Sequence, residues 1–278
     1  MTASEDFLTR LAREPAVLVT VHASRGSVPR ETGAWMAVFD QGAVGTIGGG
    51  HLEFQAMAQA RQRLAGMPGG DLMRVALGPA LGQCCGGDVQ LKFERVSAAD
   101  TPDLTLRLKP ERTPVALFGG GHVGHALVQV LMHLPLHITW VDSRDEIFPT
   151  GLPAHVVCEH SDPVQAAVSH LPAGARVLIM SFSHAEDLDV VAACLIRQRQ
   201  RQDLPFMGLI GSRTKWAVFQ NRLTARGFTA QELAQVTCPI GIAGINGKAP
   251  EVIAVAVAAQ ILQTMSLESG NSLGYPSI

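Results

Sequence analysis

From residue 115 onward the chain repeats one unit. A short apolar strand runs into a loop and then into a helix-length segment with an apolar stripe. Strands fall at 115–118, 137–141, 154–158, 176–182 and 206–210. Helices fall at 163–171, 186–200 and 215–226, and a last one starts with proline at 250. These strands are apolar in near-continuous runs, which requires helices over both faces. Repeated strand–helix units of this kind specify a doubly wound parallel sheet, a Rossmann-like α/β domain.

The first half is patterned differently. Strands at 16–23, 34–39, 43–47, 71–77 and 88–96 surround one helix at 51–65, which sets Leu52, Gln55, Ala56, Ala60 and Leu64 near one face. This predicts a smaller α+β domain over 1–97. Residues 98–113, rich in proline and charge, read as a linker. The Rossmann-like domain then covers 114–265 and a loose tail 266–278.

Composition narrows the function. The net charge is −2, so no basic field draws the chain onto nucleic acid. The longest apolar stretch, 252–262, is too short to span a bilayer and contains Gln260. The five cysteines are odd in number and widely spaced, and the N-terminal segment reads as an amphipathic helix rather than a leader. These features lead to the expectation of reduced thiols in the cytoplasm, with no membrane contact.

Gly-Gly-Gly-His occurs twice, at 48–51 and 119–122, each time between a strand and a helix. Backbone N–H groups at a helix start suit an anion. In the second copy Gly119, Gly121 and Gly124 fit the dinucleotide fingerprint. Asp142, at the end of the next strand, stands where an acid holds ribose hydroxyls. The same glycines also serve helix–sheet packing. In the first copy Gly48, Gly49 and Gly50 lead into His51 and Glu53, within reach of a ligand or of water. In the loop SRGSVPRETG, Pro29 stiffens the backbone just before Arg30, which suits either the gripping of an anion or a solvated connecting loop. Ser212 and Arg213 open a third anion-friendly helix start, whose basic residues face a phosphate or simply water. Cys84 and Cys85 adjoin paired glycines; Cys85 is the candidate for a soft metal or a transferred sulfur, and Cys84 for packing. No nucleophile–base pair follows from the spacing.

In this order, GSVPRETG, GTIGGGHLE, LGQCCGG, FGGGHVG, VDSR, GLIGSRTKW and PIG followed by APEVIAVAVAAQI resemble the XdhC/CoxI family over nearly the whole chain. The resemblance implies a noncatalytic chaperone of the molybdenum cofactor (molybdopterin). Such a protein supports sulfuration of the metal and inserts the cofactor into apo-xanthine dehydrogenase. Its implied partners are that enzyme, a cysteine desulfurase and the proteins of molybdenum-cofactor biosynthesis; a homodimer is compatible with it. Candidate cofactor contacts carried over are Arg30, Gly48, Gly49, Gly50, His51, Glu53, Cys85, Gly119, Gly121, His122, Gly124, Asp142, Ser212 and Arg213. Cys85 would contact molybdenum or its sulfido ligand. The alternative is an NAD(P)-dependent oxidoreductase using Gly119–Gly124 and Asp142.

Two departures stand out. An aspartate usual in relatives before the last helix is missing from PIGIAGINGKAPEVIA. Where relatives read THDH or THSH, this chain reads Ser181-Phe182-Ser183-His184 and keeps one histidine.

Overall fold

The computed structural model describes residues 3–77 and 87–268. The chain divides into two compact units, 1–109 and 110–278.

Unit 1 is an antiparallel sheet ordered β3-β2-β1-β5-β4, built from β1 (Ala16–Arg25), β2 (Trp35–Val38), β3 (Ala43–Gly45), β4 (Leu72–Ala76) and β5 (Asp88–Val96). Alternation along β1 sends Val17, Val19 and Val21 to one face, where they meet Leu52, Ala56 and Ala60 of α2 (Gly50–Leu64). Ala16 and Leu18 face the other way, onto Phe7 and Leu11 of α1 (Ala3–Leu11) and onto Leu104. Leu104 belongs to α3 (Thr101–Arg107) and is fully buried. The stretch 98–113, expected as a linker, therefore folds in its first part as a helix on unit 1. Its charge pattern hid this, because a single buried leucine, Leu104, suffices to dock so short a helix.

Unit 2 is a parallel sheet ordered β11-β10-β9-β6-β7-β8. Its strands are β6 (Thr113–Phe118), β7 (Leu136–Asp142), β8 (Val156–His160), β9 (Arg176–Ile179), β10 (Phe206–Leu209) and β11 (Val236–Thr237). Val115 and Leu117 of β6 pack under α4 (His122–Leu131) and α8 (Pro250–Glu268). Ala116 and Phe118 pack under α5 (His184–Arg201) and α6 (Arg213–Ala225). Both faces are covered, as the apolar strands require. The expected Rossmann-like unit and the α+β unit are both present, with the short α7 (Ala230–Leu233) and β11 added at the far edge. Winding reverses between β6 and β9. That point opens a crevice beyond the strands' carboxyl ends, where open α/β sheets bind ligands.

Candidate functional site

The crevice of unit 2 is framed by the second glycine loop. Gly119 takes φ +126°, and a side chain there would strike the Met180 carbonyl at the end of β9. Only glycine accepts both constraints. The Gly119 N–H donates to Val141 O at 2.8 Å, and the buried Trp140 indole N–H donates to Gly119 O at 2.9 Å. The loop is thus fixed between β7 and β9. Trp140 is a fully buried core residue and also positions the loop. Gly124 is buried against the Gly119 carbonyl, which seats α4 on the loop. Gly121 and His122 are exposed at the first turn of α4, with open space beside Gly121.

Asp142 is 1% exposed and turned back into the protein. Its Oδ2 accepts from Gly120 N–H at 2.5 Å and from Arg144 Nη2 at 2.9 Å. Its Oδ1 accepts from Arg144 Nε at 2.8 Å and from the Arg144 amide at 2.9 Å. Burial raises the Asp142 pKa, but the Arg144 fork and the Arg144 and Gly120 amides outweigh it and hold the carboxyl below its ordinary value. The spacing that suggested a ribose ligand is present. Both oxygens, however, are engaged by the chain itself, because Arg144 folds back as a bidentate partner.

Neighbouring carboxylates act in the same way. Glu186 accepts from the Ser143 hydroxyl at 2.7 Å and from Phe182 N–H at 3.1 Å. Asp187, 2% exposed, accepts from Ser181 N–H at 2.7 Å and from Lys215 Nζ at 2.6 Å; Lys215 also reaches Ile210 O at 2.9 Å. This buried pair ties the ends of β9 and β10 together. Asp187 and Lys215 stand in the first turns of two helices, and no linear spacing pairs them. Ser212 accepts from Lys215 N–H at 3.1 Å as the cap of α6, so its hydroxyl serves the helix, and Arg213 is exposed. His184 is exposed and meets Phe219 edge-on at 6.4 Å.

In unit 1 the first glycine loop also holds a carboxylate of its own. Glu53 Oε1 accepts from the amides of Ile47 and Gly49, both at 2.9 Å, and from the Thr46 hydroxyl; Gly48 N–H donates to Thr46 Oγ1 at 3.1 Å. Burial pushes Glu53 up, while the Thr46 hydroxyl and the Gly49, Ile47 and Gly48 amides bring its pKa net below the usual value. The amides expected to greet a ligand at this loop are therefore partly satisfied from within. Gly50 starts α2, and exposed His51 lies 3.0 Å from the Gln55 amide and stacks on Phe54.

Three motifs meet at this loop. Gly48 has φ +121°, and a Cβ on it would lie 2.5 Å from Pro29, so the Arg30 loop closes directly onto the glycines. A side chain on Gly87 would strike the carbonyls of Arg25 and Ser27, which brings the end of the LGQCCGG segment onto the same loop. Arg30 pairs with Glu31 at 3.2 Å and remains 40% exposed, a pair of small energetic weight. Cys84 and Cys85 lie outside the described residues. Among the described residues no group of three or more His, Cys, Asp or Glu could hold a metal ion. Burial pushes the Cys194 thiol up to about 12 and Cys238 up to about 11, so both stay protonated and poorly nucleophilic.

A family model described as the XdhC Rossmann domain matches residues 115–261, more than half of the 278-residue chain, and one described as the XdhC and CoxI family matches residues 10–75. The chain belongs to the XdhC family. The first match takes in Gly119, Gly121, His122, Gly124, Asp142, Ser212 and Arg213, and the second Arg30, the Gly48–His51 loop and Glu53; Cys85 falls between them. The uncharacterized protein YqeB of Escherichia coli K12 is 26% identical over 271 residues, covering 95% of this XdhC-family chain and 46% of YqeB. The chain thus spans about half the length of the curated relative it matches. A protein described as a xanthine dehydrogenase from Bacillus halodurans shares the fold, with a TM-score of 0.76 at 17% identity over 99% of this chain and 98% of that one. Among the described residues no helix is long and apolar enough to cross a membrane.

Proposed function

We propose that this XdhC-family protein is an accessory chaperone in xanthine dehydrogenase maturation. It binds the molybdenum cofactor as cargo, supports its sulfuration with a cysteine desulfurase and inserts it into the apo-enzyme. One observation carries the reading beyond family membership: in unit 1 Gly48 and Gly87 both close onto the loop that runs from Arg25 to Arg30, at Pro29 and at Arg25 and Ser27 respectively. Residues scattered over the sequence thus form one end of the sheet, which suits a ligand site better than three unrelated turns would. The cargo phosphate lies on a glycine-rich helix entrance. The start of α4 suits it, since Gly121 caps the helix without a side chain and has open space beside it. Cys85 serves the metal or the incoming sulfur.

The hydride-transfer alternative needs an acid free to bind ribose, and Asp142 spends both oxygens on Gly120 and Arg144. To test the carrier reading, Cys85→Ala and wild-type protein are loaded anaerobically with molybdopterin. Oxidised-pterin fluorescence per chain and the activity delivered to apo-xanthine dehydrogenase are then measured. Lower retention or delivery with an unchanged unfolding midpoint supports the reading; equal values for both proteins remove the thiol's role.

A further inference from the structure

Phe182 is 66% exposed, three residues beyond the end of β9 on the carboxyl side of the sheet. A phenyl ring left in water gains nothing for the fold. Yet this one is held in place. Its amide donates to Glu186 Oε2 at 3.1 Å, and Glu186 is tethered in turn to the Ser143 hydroxyl after β7. The Arg144 guanidinium lies over the ring, 4.5 Å from its centroid. Arg144 is itself locked to buried Asp142, which holds the Gly120 amide. A continuous path of bonds and contacts thus runs from the glycine loop through Asp142 and Arg144 to an exposed aromatic face.

We propose that Phe182, steadied by Arg144, is a stacking platform for a planar, fused nitrogen heterocycle, a purine or pterin-type ring. Two features select a ring rather than a phosphate. Asp142 neutralises Arg144, and Glu186 adds a second negative charge, so the platform offers an anion no net positive partner. Unlike Asp142, Glu186 is half-buried and accepts a single hydrogen bond on each oxygen, so it keeps capacity to accept from the ring N–H and amino groups of a heterocycle. Stacking on a face already fixed in position costs little ordering, and aromatic faces bind flat heterocycles of many kinds. The inference rests on reading the crevice as a ligand site, and it deepens that reading by naming the part of the ligand bound there.

The test uses the full chain, with free pterin followed by fluorescence anisotropy and adenosine added as a competitor. Wild type should bind at least one of the two. Phe182→Ala should weaken that binding by about tenfold, in line with the usual loss of a base–aromatic stack, with the urea midpoint unchanged. Phe182→Trp should restore it. Equal affinity for wild type and Phe182→Ala overturns the proposal, as does absence of binding of both compounds to wild type at about 1 mM, the weak limit of useful affinity. Binding of adenosine alone, lost in Phe182→Ala, upholds the platform while counting against the carrier reading. Full molybdopterin retention by Phe182→Ala overturns the platform and leaves the carrier reading standing.

Discussion

Asp142→Ala separates the two uses an acid at this position can have. In the structure the carboxylate satisfies the buried Gly120 amide, the Arg144 amide and a bidentate guanidinium fork. Removing it orphans the Gly120 N–H, which costs about 1–3 kcal/mol. It also strips the fork from Arg144. That side chain is 35% exposed and regains water, so its loss is discounted to about 1–2 kcal/mol. The expected destabilisation of unit 2 is about 2–5 kcal/mol, overlapping the range for breaking one side of a buried ion pair. With a urea slope of roughly 2 kcal/mol/M, the midpoint falls by about 1–2.5 M. The assay is urea unfolding followed by near-ultraviolet signal, with a double-mutant cycle through Arg144→Ala. A coupling of about 1 kcal/mol or more between the two sites is expected for direct partners. A loss below about 0.5 kcal/mol, together with a marked fall in NAD affinity, would refute the reasoning and make Asp142 a ribose ligand after all.

Two further outcomes follow from the same geometry. Glu53 has its pKa lowered in the fold, so its stabilising effect is complete above its ordinary value of 4.5 and fades as pH falls through the lower folded value; Glu53→Gln should cost about 1 kcal/mol at pH 7 and flatten the acid limb of a stability–pH curve, and an unchanged limb contradicts this. Lys215→Met strands the carboxylate of Asp187 in a nearly water-free setting and should cost about 3–5 kcal/mol, while Lys215→Met with Asp187→Leu should recover part of it; thermal unfolding of both variants checks the pair, and no recovery argues against it.

The two glycine loops show how an anion cradle can be read correctly by its ingredients and still be filled differently. At Gly49 and at Gly120 the amides expected to face a guest are met by Glu53 and Asp142. A carboxylate of the same chain, 4 residues away at Gly49 and 22 at Gly120, competes well for such amides, because its effective concentration at the site is far above that of any solute. What stays open is the exposed first turn of α4, together with the aromatic face of Phe182.

Hydrophobic periodicity alone settled much of this protein. Continuous apolar strands alternating with striped helices leave hardly any arrangement but a parallel sheet covered on both faces, since each apolar face must find cover. The Phe118–Gly124 pattern marked where β6 turns into α4, for a local reason: only a residue without Cβ tolerates φ +126° against the Met180 carbonyl. Tertiary structure alone decided which charges meet. The Asp187–Lys215 pair, the return of Arg144 onto Asp142 and the contact of Pro29 with Gly48 depend on how strands are ordered and how loops fold back. The docking of Leu104 within a charged segment belongs with them. Periodicity is a property of neighbours along the chain. A hydrogen bond between loops is a property of distance in space, and no linear spacing encodes it.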